Sequence, residues 1–203
     1  MKIIETRSAP NPRRVRIFLA EKGIAVAYEE LEFKPETLKS PEFTKINRLQ
    51  KVPVLVLDDG TTIAETVAIC RYFEEVHPTP ALFGTGAVQR AQVEMWQRRM
   101  EQGLLMPTAF AFRHLHPSMV GLEVPQVPAW GEANKGRALD MLQVLDEQLA
   151  RHPFVAGAHY SIADVTALCA MDFMRPARIQ RPDSLTHVAR WYAEVSSRPS
   201  AKA

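Results

Sequence analysis

Cysteine is nearly absent from this sequence. Cys70 and Cys169, two in 203 residues, form neither a disulfide framework nor a metal-ligand signature. Both are expected to pack as reduced thiols, no metal is expected, and the chain is expected in the cytoplasm. Glycine is also scarce: nine glycines against fifteen prolines give many element boundaries and no low-complexity linker. No charge of one sign dominates. The net charge is +2, and residues 1–80 hold twelve Lys/Arg and twelve Asp/Glu. With no basic half or tail, a nucleic-acid partner is not expected. No apolar run approaches the ~20 residues that span a bilayer, and the start, MKIIETR, lacks the apolar core of a signal peptide. No membrane partner is expected either. What remains is ordinary for a globular chain of one or two domains: 46% hydrophobic and 24% charged residues.

The periodicities divide the chain in two. Lys2–Thr6 reads as a strand. Asn11 suits an N-cap and Pro12 the first helical position, where a missing N–H costs nothing. Val15, Phe18 and Leu19 follow on one helix face, and Gly23 ends that helix. A second strand is expected over Val26–Phe33 and a short helix from Ser40. Val54–Leu57 and Thr61–Ala64 flank Asp58-Asp59-Gly60 as a hairpin. Glu65–Val76 returns to helical spacing, with Ile69, Phe73 and Val76 on one face. The result is βαβ followed by ββα, a small α/β domain. HPTPALFGTG, residues 77–86, is turn-rich. Everything beyond it reads as helix: Ala87–His114 with a bend near Pro107, Pro128–Ala150, a helix opened by Ser161 and Asp164 as a variant capping box, and Leu185–Ser197. The expected fold class is α/β plus all-α: an N-terminal domain over residues 1–78, a linker at 79–87, and an all-helical domain over 88–203.

Two stretches carry the chemistry. SAPNPRRV, residues 8–15, sets Ser8 and Asn11 at a helix start, where unpaired N–H groups and the positive end of the dipole favour an anion. QKVPVL, from Gln50, leads through the hairpin to AET at residues 64–66. A cis bond before Pro53 would leave the backbone of Val52 free to pair with an extended peptide. Thr66 offers a hydroxyl and a helix-terminal N–H to a carboxylate, and Glu65 a counter-charge to an ammonium. Lys51 and Gln50 would meet a second carboxylate. These groups describe a short peptide with two carboxylates, its far side approaching Ser8 and Asn11.

SAPNPRRVRIFLAEKGI, QKVPVL…DDGTTIAETVAICRYF, YSIADVTA at residues 160–167 and the closing WYAEVSSRP together resemble the cytosolic glutathione transferases over essentially the whole chain. The resemblance implies a thioredoxin-like first domain, cis Pro53, a homodimer, and glutathione as the substrate. Carried over residue by residue, Val52 pairs with the cysteinyl backbone, Glu65 and Thr66 hold the γ-glutamyl end, and Lys51 with Gln50 holds the glycyl carboxylate. The activating tyrosine of some classes and the helix-start cysteine of some bacterial members are both missing. Ser8 matches the serine-type classes. Asn11 stands where the bacterial cysteine would be, as in members noted for reducing glutathionyl disulfides. The implied activity is transfer of the glutathione sulfur to a small electrophile. The alternatives are glutathione-dependent disulfide reduction and a non-catalytic binding or regulatory role.

Other residues have plainer readings. Arg13, Arg14 and Arg16 are expected on a solvated helix face, with a field attracting anionic glutathione as the alternative. Cys70 is expected as packing. Trp130, Trp191 and Tyr192 are expected in the core, and Asp164 at the service of its helix start. His114 and His116 stand at i, i+2, which on a helix does not converge on a metal. His114, with Met106 and Phe110, is a candidate border of the pocket for the second substrate.

Overall fold

The computed structural model describes all of residues 1–203. The chain divides into two compact units, Met1–Pro80 with Lys202–Ala203, and Ala81–Ala201.

The first unit is a four-stranded sheet with helices. Strands β1 (Lys2–Glu5), β2 (Ala27–Glu30), β3 (Val54–Val56) and β4 (Thr62–Ala64) lie in the order β2-β1-β3-β4. β1 is parallel to β2 and antiparallel to β3, and β3 is antiparallel to β4. Helices α1 (Pro10–Lys22) and α4 (Thr66–Val76) pack against each other, and the core between helix and sheet is Ile3, Ile4, Val15, Phe18, Leu19, Val54, Leu55, Ile69 and Phe73. Gly23, in the left-handed conformation at φ 66°, closes α1 as expected, its N–H bonded back to Ala20 O. Two short helices, α2 (Pro35–Leu38) and α3 (Pro41–Ile46), join β2 to β3. Ser40 caps α3 by accepting from the Phe43 N–H at 3.2 Å. α2 was not expected: four residues show no periodicity to read.

The start of α1 differs from its expected form. The N-cap is Ala9 and the first helical residue is Pro10, which puts Asn11 inside the first turn. Pro10 and Pro12 both tolerate a first turn, so either could open the helix. The structure uses the earlier one, because the oxygen of Asn11 is taken by Arg14 (Nη1 to Oδ1, 3.1 Å) and not by backbone N–H groups.

The second unit is helical. α5 (Gly86–Arg99), a π-helical segment (Met100–Leu105) and α6 (Met106–Leu115) form one continuous run, followed by α7 (Pro128–Leu149), α8 (Ile162–Met174) and α9 (Thr186–Ser196). The expected bend near Pro107 takes the form of that π segment. Proline lacks an N–H and its ring crowds the carbonyl four residues back, here that of Gly103; widening the turn just ahead of it accommodates both. A Cβ on Gly103 would come within 2.3 Å of the terminal methyl of Met141, so a larger residue there would require that flexible side chain to move. The core is Met100, Leu104, Leu142, Leu145, Val165, Leu168 and Trp191. The capping box is present, with Ser161 and Asp164 serving each other's backbone. No helix is long and apolar enough to cross a membrane.

Candidate active site

Sheet register decides what meets where. Ile4 pairs with Val54, and Val54 with Ala64. Because β3 runs against both neighbours, the last residues of β1 and β4 and the first residue of β3 share one end of the sheet. The chain just beyond that row is Ser8 leaving β1, Val52-Pro53 entering β3, and Glu65-Thr66 leaving β4. The two stretches singled out in the sequence, some forty residues apart, are therefore delivered to the same end. β2 leaves there as well: the Leu31 N–H donates to Glu5 O at 2.7 Å, and the Leu31 carbonyl accepts from Thr6 Oγ1 at 2.8 Å.

Ser8 lies exposed in the turn between β1 and α1, which is closed by the Ala9 N–H on Thr6 O at 3.0 Å. With prolines at the first and third helical positions, the first turn offers one amide, that of Asn11. Arg14 holds the Asn11 oxygen, so the exposed side chain presents its NH₂ outward as a donor. Arg14 and Arg16 are buried, at 1% and 7% exposure, which overturns the expected solvated face for both. Arg16 braces the turn from below. Its Nη1 meets Glu5 Oε2 at 2.6 Å and its Nη2 donates to the Arg7 carbonyl at 2.8 Å, next to Ser8. Burial and the Glu5 charge push the Tyr28 phenol above its ordinary value.

The Val52–Pro53 bond is cis. Val52 lies outside the sheet ladders, and neither its N–H nor its C=O is bonded within the chain. Lys51 is exposed, and its carbonyl is fixed by Asn47 Nδ2 at 2.8 Å, while Asn47 Oδ1 accepts from the Leu49 N–H at 3.1 Å. Gln50 is partly committed elsewhere, since its Nε2 donates one N–H to Thr44 Oγ1 at 3.1 Å, which leaves the second N–H and the oxygen. Three non-glycine residues have positive φ, and two are here: Gln50 at 56° and Glu65 at 70°. Such a conformation costs about 1–3 kcal/mol and clusters at functional sites. Glu65 stands at the N-cap of α4; its carbonyl accepts from the Ile69 N–H at 3.0 Å, and its carboxylate makes no cap bond to the helix. Thr66, 6% exposed, opens the helix with its N–H and hydroxyl.

In the helical unit, Met106, Phe110 and His114 fall at i, i+4 and i+8 of α6, one face. His114 is buried. Its Nδ1 accepts from the Val127 N–H at 3.0 Å, which leaves the proton on Nε2, 3.6 Å from Glu123 Oε1. The Phe110 ring tilts toward it at 6.4 Å between centroids. His116 stacks on Phe112 instead, at 4.6 Å. No three His, Cys, Asp or Glu side chains cluster as metal ligands. Cys70 and Cys169 are buried and form no disulfide.

Of the residues expected in the core, Trp191 is fully buried and donates to Asp164 Oδ1 at 2.9 Å. Trp130 is not core. It is 38% exposed, with the Arg137 guanidinium 4.5 Å over its face, an arrangement that keeps the indole amphipathic. Tyr192 is half-buried because its hydroxyl reaches Asp172 at 2.5 Å. Sequence reasoning also missed the supports Glu5, Arg16 and Asn47. Asn47 had a readable signal, a side chain able to bond the backbone two residues on; the others had none.

Comparison with known proteins gives the family and the fold. Residues 9–76 match the family model for the glutathione S-transferase N-terminal domain, and residues 120–199 that for the C-terminal domain. Glutathione S-transferase 2 of Saccharomyces cerevisiae is 35% identical over 205 residues, 100% of this chain and 88% of the relative. The crystal structure of that yeast Gtt2 superposes with a TM-score of 0.95 over 100% of this chain and 99% of the other. A glutathione S-transferase domain-containing protein of Marinobacter aquaeolei VT8 gives 0.92 at 37% identity, over 98% and 99% of the two chains. A class Gtt2 glutathione S-transferase of Vibrio parahaemolyticus gives 0.87 at 38% identity, over 98% and 95%.

Proposed function

The chain belongs to the glutathione S-transferase family and is a glutathione transferase; from that premise we propose how its own residues perform the reaction. Glutathione lies extended across the sheet end, its cysteinyl backbone paired with Val52 beside Pro53. Glu65 holds the γ-glutamyl ammonium, and Thr66 with the α4 N-terminus holds the γ-glutamyl carboxylate. Lys51, helped by the second Nε2–H of Gln50, holds the glycyl carboxylate. One observation carries this reading: the pairing row Ile4–Val54–Ala64, which brings Ser8, Val52 and Glu65-Thr66 to one end of the sheet.

A free thiol with a pKa near ~8.5 is only a few per cent thiolate at neutral pH. Donors aimed at sulfur favour the charged form. Ser8 Oγ–H and Asn11 Nδ2–H are those donors, and each charge-assisted hydrogen bond contributes about 1.5–3 kcal/mol. Lowering the thiol by one to two units needs about 1.4–2.7 kcal/mol. One donor therefore suffices, and the second provides redundancy. The thiolate then attacks a small electrophile and takes the place of its leaving group; Met106, Phe110 and His114, on one face of α6, are the proposed contacts for that second substrate.

Asn11 supports a second reading, reduction of glutathionyl disulfides. The enzyme brings no thiol of its own to the turn, so bound glutathione would supply the attacking sulfur. We further propose domain limits of 1–78, 79–87 and 88–203, a cytoplasmic location and a homodimer, with no metal cofactor. Turnover of a chloronitrobenzene acceptor and of a mixed glutathionyl disulfide tests the assignment. Rates above background on the first support transfer, and a preference for the second supports reduction. Glutathione binding with neither turnover would contradict both.

A further inference from the structure

Residues 116–127, between α6 and α7, are held by polar bonds and hardly by burial. Of their apolar side chains only Met119 is buried, while Val120 and Val124 are 68% and 78% exposed. The bonds converge on the last turn of α6. Arg113 pairs with Glu123 through Nε and donates from Nη2 to Leu122 O at 3.3 Å. Gln126 Nε2 donates to Arg113 O at 2.8 Å and to His116 O at 3.0 Å. The last fastening is the Val127 N–H, which donates at 3.0 Å to Nδ1 of the buried His114.

That last bond has a chemical condition. Nδ1 accepts only while the imidazole is neutral. A proton added there makes it a donor facing the Val127 N–H, and the bond is lost. Imidazole is the side chain that changes charge between pH 5 and 8. Glu123, on the segment itself, favours the cation, since its Oε1 lies 3.6 Å from His114 Nε2. Protonation therefore exchanges a backbone bond for an ion pair, which Arg113 weakens by sharing the same carboxylate. The other charged groups on the surrounding elements have partners of their own. His116 Nδ1 bonds Ser118 Oγ at 2.7 Å. At the near end of α7, which packs on α6, Lys135 holds Glu132 at 3.0 Å and Arg137 lies over Trp130. On α8 Asp172 takes the Tyr192 hydroxyl, and in the π segment Glu101 pairs with Arg98 at 3.3 Å. We propose that residues 116–127 are a strap, fastened by neutral His114 and released when His114 is protonated. His114 shares its face of α6 with Met106 and Phe110. Release therefore also reaches the proposed contacts for the second substrate, a consequence that rests on that reading.

Hydrogen exchange of the full chain, read over residues 116–127 and corrected for the intrinsic rate at each pH, tests the strap without any substrate. Exchange is at least about tenfold faster at about pH 5.5 than at about pH 7.5, the scale of one lost hydrogen bond. H114N, whose amide oxygen accepts from Val127 and does not titrate, stays slow at both values. H114L, with no acceptor, is fast at both, and H116N keeps the native response. Equal exchange at the two values in the native chain, or an acid response in H114N as large as the native one, would overturn the proposal. So would loss of the response in H116N, which would assign the titration to the wrong imidazole. At saturating glutathione, the KM for a chloronitrobenzene rises on acidification in the native chain relative to H114N. A level KM ratio beside an intact exchange response supports the strap and removes this face of α6 from the second-substrate reading.

Discussion

Glu65 concentrates the trade between stability and function in one residue. Its φ of 70° is unfavourable for a residue with a Cβ, and its carboxylate is the one proposed to hold the γ-glutamyl ammonium. Glu65→Gly should raise unfolding stability by about 1 kcal/mol, since glycine has no Cβ to clash. It should also raise the KM for glutathione roughly 10- to 100-fold, the equivalent of one lost charge-assisted bond. Denaturant titration alongside glutathione kinetics checks both. A variant that is more stable and equally good at binding would remove Glu65 from the site. Arg16 shows the opposite case, a charge kept for support. It is paired with the buried Glu5 and holds the carbonyl next to Ser8. Arg16→Met should cost about 3–5 kcal/mol by leaving that carboxylate without its partner, and adding Glu5→Leu should recover most of the loss. A cost under about 1 kcal/mol by urea unfolding would mean the pair is screened like a surface one. In the sequence, Arg13, Arg14 and Arg16 were indistinguishable. Helix periodicity cannot tell a buried guanidinium from a solvated one when the partner, Glu5, sits on another element.

Among the elements, the start of α8 joins sequence to energetics most directly. Asp164 is fully buried and accepts four bonds: from the Val155 N–H, the Ser161 N–H and hydroxyl, and the Trp191 indole. Those donors favour the carboxylate, but burial outweighs them and pushes its pKa up to about 6. The sign follows from proton binding. Between the unfolded value near 3.8 and about 6, the native state holds the proton that the unfolded state has released. The contribution of Asp164 is therefore greatest at acid pH and declines as pH rises through that window, by about 3 kcal/mol in all. Asp164→Asn does not titrate. Urea midpoints from pH 4 to pH 7 should show the native chain losing stability relative to that variant as pH rises. A relative gain would mean that the donors win and the carboxylate is ionised when folded. This capping box was legible in Ser161-x-x-Asp164, because caps are written in local residue types. The cap of α1 was not, because Asn11 has two competing partners and only the fold selects Arg14. The π segment was visible only as a bend near Pro107, since a proline signals a break in the helix but not the form the break takes.

For the whole molecule, the order of elements and the division into an α/β part and a helical part were readable from periodicity alone. The two stretches of the candidate site were readable because they combine backbone geometry with local residue types: a proline opening a strand, and Glu-Thr opening a helix. What could not be read was the support beneath them. Arg16 on Glu5 and Asn47 on the Lys51 carbonyl are tertiary contacts that no spacing encodes.

In the proposed mechanism, hydrogen-bond donors, and not a phenol or a second thiol, ionise the glutathione sulfur. Ultraviolet thiolate absorbance of enzyme-bound glutathione, followed against pH, measures this directly. The native chain should titrate one to two units below the free thiol value of ~8.5, S8A and N11A singly should retain much of the shift, and S8A/N11A should return close to the free value. A native-like titration in S8A/N11A would contradict it.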